Sequence, residues 1–237
     1  MHNNPKIHIA TIGAMDEEIH AITSLLSHCK KYQHPFFTYY QGQLHHKNIL
    51  VFQSGLGKVN AALATAYIIE QYSPQYIINI GSAGGISAKL KIGDIVISSQ
   101  TFYHDVDVSL LKCAYGQIPG MPETFSSDPQ LIALAQKAVS QSIHLQAIEG
   151  HIGSGDTFVS EPRHIQLLRQ RFPEMIAVDM EAAAIAHTCH LYQTPFVIIR
   201  AISDVVINQN NHVDFFTFLK QASINSAKTV EHMISML

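Results

Sequence analysis

Three short segments of this 237-residue chain place carboxylates directly after apolar runs: Asp16-Glu17-Glu18, Asp179-Met180-Glu181 and Ser203-Asp204. A carboxylate in such a position can act as a general base, a general acid or an acceptor for hydroxyl groups. Each segment also has a plainer reading. Asp16 to Glu18 opens a helical pattern, where acidic side chains suit the positive end of the helix dipole; alternatively, one of them is a general base. Asp179-Met180-Glu181 leads into an alanine-rich helical segment. Its carboxylates either favour that helix start or take both hydrogens of a vicinal diol such as a ribose. Ser203-Asp204 is either a helix cap or an acid poised to protonate a leaving group. Arg200, just before it, is costly in a core unless paired. A carboxylate partner or a polar ligand accounts for it equally well.

Glycine-rich segments accompany these carboxylates. Gly81-Ser82-Ala83-Gly84-Gly85 follows the apolar run Tyr76–Ile80. It is either a tight turn or a place where backbone approaches a ligand, and it does not match GxGxxG. Ser54-Gly55-Leu56-Gly57-Lys58-Val59-Asn60 resembles a phosphate loop only superficially, because Val59 occupies the Ser/Thr position and the first glycine is missing. In Gly153-Ser154-Gly155-Asp156-Thr157-Phe158-Val159, Phe158 is either a core aromatic or a stacking surface for a flat base.

Composition narrows the function classes. Apolar residues make up 47% and charged residues 14%, which supports a well-covered core and excludes a disordered chain. Fifteen Lys and Arg against 18 Asp and Glu give −3, with no basic run. Nucleic acid and membrane surfaces are therefore not expected partners. No apolar run approaches the ~20 residues of a membrane span, and Met1 to Ile9 lacks a signal-peptide pattern. Cys29, Cys113 and Cys189 form no CxxC pair, so reduced thiols and a cytoplasmic setting are expected. Fifteen histidines raise the question of a metal. His187 and His190 flank Cys189 on a predicted helix without HExxH spacing, so no metal site is predicted.

The elements that must position these residues alternate in type. Strands are expected at Ile7–Ile12, Tyr76–Ile80, Asp94–Ser98, Leu145–Ile152, Met175–Val178 and Pro195–Arg200, with a hairpin at Phe36–Tyr40 and Ile49–Gln53. Helices are expected at Asp16–Leu26, Ala61–Ile69, Leu131–Val139, Glu161–Arg171, Glu181–His190 and Phe215–Met233. Tyr103–Thr124 reads as a long loop of the kind that is usually functional. This alternation predicts one α/β domain over residues 1–237, with a largely parallel sheet covered on both faces. Ligands in such folds bind where strands end. Five strand ends carry the polar or glycine-rich signals: Gly13 onward, Ser54–Lys58, Gly81–Gly85, Asp179–Glu181 and Arg200–Asp204.

The order of motifs is more specific than any one of them. Gly13-Ala14-Met15 with Glu18, the Ser54–Asn60 and Gly81–Gly85 segments, and Tyr103-His104-Asp105 come in turn. Gly116-Gln117-Ile118-Pro119-Gly120, Ser154–Phe158, Asp179–Glu181 and Arg200–Asp204 follow. Over nearly the whole chain this series closely resembles the bacterial 5'-methylthioadenosine/S-adenosylhomocysteine nucleosidases. The resemblance implies the nucleoside phosphorylase/hydrolase fold, a three-layer α/β/α domain with a central mixed sheet. It further implies a homodimer, no cofactor, and hydrolysis of the N-glycosidic bond with release of adenine. By the same resemblance Glu18 activates the attacking water, with Ser82, Glu181 and Arg200 around it. Glu181 and the Met180 backbone hold the ribose hydroxyls, Phe158 stacks on adenine and the Val159 backbone bonds the base edge. Asp204 protonates purine N7 and Ser203 orients it. Met15, Leu56, Ala83, Gly84, Asp179 and Phe215 complete the expected binding set. The loop from Leu111 to Pro119 covers the 5' substituent in the other subunit's site. Leu111 and Cys113 stand where this family often has aromatic residues, and Asp179 where it often has Glu.

The implied chemistry agrees with the residue types. Glycosidic cleavage passes through an oxocarbenium-like state and needs an acid on the leaving group and a base on water. Asp204 would have to keep its proton near neutrality, which burial favours. A phosphorylase would need cations around phosphate, and Glu18 would repel that anion. Cleavage of 6-amino-6-deoxyfutalosine is an alternative within the hydrolases. A non-catalytic nucleoside-binding protein is expected to lack one of Glu18, Glu181 or Asp204, and all three are present.

Overall fold

The computed structural model describes residues 7–141, 146–205 and 211–237, with residues 211–214 as backbone only. Its first half runs β1 (Ile9–Gly13), α1 (Asp16–Thr23), β2 (Ser27–Gln33), β3 (Thr38–Leu44), β4 (Lys47–Gln53), α2 (Lys58–Tyr72), β5 (Tyr76–Gly85) and β6 (Ile95–Tyr103). After a 3-10 turn at Ser109–Leu111 come β7 (Phe125–Ser126), α3 (Pro129–Ser140), β8 (Ala147–Ser154), α4 (Pro162–Arg171), β9 (Met175–Asp179), α5 (Ala182–Tyr192), β10 (Phe196–Val205) and α6 (Asn211–Met236). Leu145, expected to open a strand, lies outside the described residues. No described helix is long and apolar enough to cross a membrane.

Side chains alternate across the buried strands, so each strand feeds two cores at once. Leu50 and Phe52 of β4 face one core while Ile49 and Val51 face the other; Ile198 and Ile202 of β10 oppose Val197 and Ile199. The first core is closed by α2 and α5 through Ala64, Ile68, Ala182 and Ile185. The second is closed by α1, α3 and α6 through Ile19, Ile22, Leu131 and Val230. Helices therefore cover both faces, giving the expected three layers. Each fully buried Ile or Phe contributes about 1.5–3 kcal/mol, so the strand ends rest on a rigid base.

The sheet is mixed rather than largely parallel: among the described strands five pairings are parallel and five antiparallel. Three antiparallel pairings join β2–β3, β3–β4 and β6–β7, and the other two, β10–β6 and β5–β9, belong to a closure. β5 pairs with β10, β10 with β6, β6 with β8, β8 with β9, and β9 with the end of β5. This ring of five strands is extended on one side by β1, β4, β3 and β2. β2, absent from the sequence reading, is an edge strand whose seven residues are all exposed. Lacking any buried face, Ser27–Gln33 carries no period-two apolar signal.

Two expected strand ends move. Gly81–Gly85 is no turn: β5 continues through it, pairing with β10 and then, at Gly84 and Gly85, with β9. Arg200–Asp204 likewise lies inside β10, so Ser203-Asp204 caps no helix. Both segments are the C-terminal halves of neighbouring parallel strands, and this brings them together.

Candidate active site

Glu18 turns inward from the first turn of α1 while Asp16 and Glu17 stay exposed. It is 2% exposed. Its Oε2 accepts the N–H groups of Ala14 at 2.8 Å and Met15 at 3.2 Å. Its Oε1 accepts the Ser82 N–H at 3.0 Å and the Ser82 hydroxyl at 3.2 Å. Every partner donates, as a carboxylate requires. The helix-start reading of this segment holds for Glu18, which satisfies the entry to its own helix and also joins α1 to β5.

Arg200 forms the floor. It is 1% exposed and does not line the cavity described below. Its Nε donates to Asp179 Oδ2 at 2.8 Å, Nη1 to the Ile80 carbonyl at 2.8 Å and Nη2 to Asn79 Oδ1 at 2.7 Å. Burial opposes its charge, but Asp179, Glu181 and Glu18 more than offset that and hold its pKa above the ordinary value. Gly81 is required here because of close approach. A Cβ on Gly81 would sit 2.1 Å from Arg200 Nη1 and 2.7 Å from Glu18 Oε1. Gly81→Ala is expected to push the Arg200 guanidinium off Asp179 at a cost of about 3 kcal/mol or more, the scale for a broken buried ion pair. A chemical denaturation midpoint close to wild type would contradict that packing.

Asp179 closes β9 and is fully engaged by the frame. Its Oδ2 takes Arg200; its Oδ1 accepts the Ser154 hydroxyl and, at 3.3 Å, the Ala182 N–H of α5. Glu181 faces the ligand space instead. Its Oε1 accepts the Gly57 N–H at 2.8 Å and its Oε2 lies 3.8 Å from Arg200 Nη2. Its pKa is pushed up to about 8 by burial and then by the Asp179 carboxylate, with Arg200 and the Gly57 N–H opposing.

β10 carries a register shift against β5: Ile202 pairs with Ala83 but Asp204 pairs with Gly84, leaving Ser203 between them. Such an insertion re-aims side chains, and consecutive Ser203 and Asp204 both reach the same cavity. Ser203 Oγ donates to Asp204 Oδ1 at 2.9 Å, and Asp204 is 2% exposed. Beyond β8, Phe158 is 44% exposed and meets Phe215 edge-on at 5.6 Å between ring centroids. Its exposure excludes the core reading. Val159, by contrast, is buried.

These residues surround one cavity of about 420 Å³, a volume suited to a small molecule. Met15, Glu18, Leu56, Ser82, Ala83 and Gly84 line one part of it. Phe158, Val159, Asp179, Met180 and Glu181 line another, with Ser203, Asp204 and Phe215 closing it. Leu111 and Pro119 lie outside it and are exposed. No Lys or Arg is among the described lining residues. Asn79 and the Ser154 hydroxyl are the supports the sequence reading missed. A lone polar residue within the apolar run Tyr76–Ile80 was the available signal for Asn79. No group of His, Cys, Asp or Glu that could hold a metal occurs among the described residues; His187 pairs with the Tyr103 hydroxyl at 3.0 Å.

Residues 8–235 match the family model described as the phosphorylase superfamily. The chain belongs to that superfamily. Within it, the chain is 43% identical to the 5'-methylthioadenosine/S-adenosylhomocysteine nucleosidase of Chromohalobacter salexigens, over 97% of each chain. Among solved structures, the nucleosidase of the same name from Neisseria meningitidis, in complex with methylthio-immucillin-A, shares 44% identity at a TM-score of 0.94. That match covers 97% of this chain and 99% of the other. A futalosine hydrolase of Helicobacter pylori shares 32% identity at a TM-score of 0.91, covering 98% of this chain and 99% of the other. This superfamily member is thus similar to those nucleosidases over 97% of the chain, and the described site lies within the matched span.

Proposed function

We propose that this chain hydrolyses the N-glycosidic bond of 5'-methylthioadenosine and S-adenosylhomocysteine, releasing adenine and the 5-alkylthioribose. The observation that carries this reading is the joining of two buried carboxylates, Glu18 and Asp204, to one cavity. They supply the base and acid that glycosidic cleavage needs. Glu18 takes a proton from water, with Ser82 and Glu181 around it and Arg200 behind Glu181 in the floor. Glu181 and the Met180 backbone receive the ribose hydroxyls, and those donors favour the ionised form of Glu181. Adenine stacks on Phe158 beside the Val159 backbone. Asp204, oriented by Ser203, delivers a proton to N7 as the bond breaks.

Water is favoured over phosphate on electrostatic grounds. Glu18, Asp179, Glu181 and Asp204 line the cavity, and an entering phosphate would meet carboxylates on several sides. A homodimer fits the exposed apolar residues. Leu110 and Leu111 are 98% and 66% exposed, and Val59 and Leu63 of α2 are 77% and 45% exposed. In the dimer that the family resemblance implies, the Leu111–Pro119 loop of a second copy covers the 5' substituent.

A second reading, cleavage of 6-amino-6-deoxyfutalosine, draws on the likeness to the H. pylori hydrolase and on Leu111 and Cys113 in the covering loop. Purified protein is to be offered methylthioadenosine, S-adenosylhomocysteine, adenosine and aminodeoxyfutalosine, and kcat/KM measured for each. The two thioethers are expected to lead. Aminodeoxyfutalosine ahead of both would replace the substrate assignment, and binding without base release would make the chain a nucleoside-binding protein.

A further inference from the structure

Outside the cavity, three charged residues tie together loops that build it. Lys58 Nζ donates to Asp105 Oδ2 at 2.6 Å and lies 3.5 Å from Asp156 Oδ2. Asp105 Oδ2 also accepts the Asp156 N–H at 3.0 Å. Asp156 Oδ1 accepts the Lys58 N–H at 2.8 Å. The start of α2, the end of β6 and the end of β8 are thereby joined. Burial works against the charge of Asp105, but the Lys58 ammonium and the Asp156 N–H outweigh it and hold its pKa below the usual range.

The start of α2 explains the geometry. Its N-cap is Gly57, which has no side chain to satisfy the first amides. Asp156, far along the chain, supplies the missing cap on the Lys58 N–H. The preceding amide, Gly57 N–H, donates to Glu181. One turn therefore presents successive amides to two carboxylates, Asp156 outside and Glu181 inside. Gly57 holds φ at +91°, and a Cβ there would stand 3.1 Å from Asp156 Oδ1. As a partly exposed ion pair the clamp adds little stability, about 0–1 kcal/mol. A role in positioning can therefore be separated from a role in folding.

We propose that Lys58, Asp105 and Asp156 are positioning residues that fix the Gly57 amide on Glu181 and so set how Glu181 receives the ribose hydroxyls. The substrate in this inference rests on the nucleosidase reading above. The charged groups facing Glu181 are Asp179 from β9, Arg200 from β10 and Glu18 from α1, with the Gly57 N–H from the α2 turn. Loosening that amide removes one of the two influences holding down the Glu181 pKa, and the carboxyl keeps its proton to higher pH. A protonated Glu181 accepts fewer hydroxyl hydrogens. In the wild-type protein KM should accordingly fall as pH rises toward about 8.

The test is a steady-state comparison of Asp156→Ala, Asp156→Asn and Lys58→Met across pH, with thermal unfolding measured alongside. Asp156→Ala is expected to raise KM about tenfold near neutrality, the scale of one hydrogen bond. The fall in KM should shift to higher pH, and kcat should change less than about threefold. Asp156→Asn should restore most of the loss, because its amide oxygen can still cap the Lys58 N–H. Lys58→Met should act in the same direction with smaller amplitude. An unchanged KM and pH profile in Asp156→Ala would overturn the proposal. So would a loss confined to kcat that Asp156→Asn fails to restore. If the wild-type protein releases no base, the nucleosidase reading fails by itself. The clamp is then read by calorimetry with adenosine over the same pH range, where Asp156→Ala must weaken affinity about tenfold and unchanged affinity rejects it.

Discussion

Asp204→Asn is expected to lower kcat for methylthioadenosine cleavage by ~10²–10⁴-fold, the usual contribution of a positioned acid, with KM little changed. The amide keeps the shape of the carboxyl, and its oxygen can still accept the Ser203 hydroxyl that reaches Oδ1 at 2.9 Å. What it lacks is a proton to give. The loss should nearly vanish for an activated aryl riboside, whose phenolate departs without protonation. Near-normal turnover of methylthioadenosine by the variant, measured by adenine release, removes Asp204 from the acid role.

Glu18→Gln is expected to reduce kcat by a comparable ~10²–10⁴-fold, but with a different pattern. Water must still be activated when the leaving group is good, so the aryl riboside offers no relief. This variant also disturbs the fold. Glu18 accepts from the Ala14, Met15 and Ser82 amides and the Ser82 hydroxyl. An amide has only one acceptor oxygen, so some of those donors lose their partner at about 1–3 kcal/mol each. The melting temperature should fall with the rate, and kinetics must be taken well below it. Full activity on both substrates would eliminate the base assignment.

How far the site was legible in the sequence depends on whether each residue broke a pattern. Glu18, Glu181 and Asp204 each followed an apolar run, and a carboxylate there is conspicuous. Arg200 stood out because an arginine after Ile199 needs a partner. Which partner was hidden: Asp179 comes from β9, Asn79 and the Ile80 carbonyl from β5, and only the closed ring of β5, β10, β6, β8 and β9 brings both strands to Arg200. From sequence, Gly81–Gly85 reads as a strand end because glycines usually interrupt strands. Here they let β5 run on beside a guanidinium and a carboxylate that leave no space for a Cβ. The register shift at Ser203 could not be read at all, since it exists only in the pairing of two strands. Asp179 looked like a ligand-binding group, yet the frame uses both its oxygens.

The same frame explains why carboxylates can crowd one cavity. Glu18 is held by four donors, Asp179 by Arg200, and Glu181 by one amide and the more distant guanidinium. Glu181 is the least compensated of these three, and its pKa rises to about 8. It is also the one that awaits donors from a ribose in the proposed reaction.

The most direct test of this account is the identity of the sugar product from methylthioadenosine with and without phosphate. The account predicts adenine and free 5-methylthioribose, formed at the same rate in phosphate-free buffer. Sugar 1-phosphate, formed only when phosphate is supplied, would contradict water as the nucleophile and with it the role assigned to Glu18.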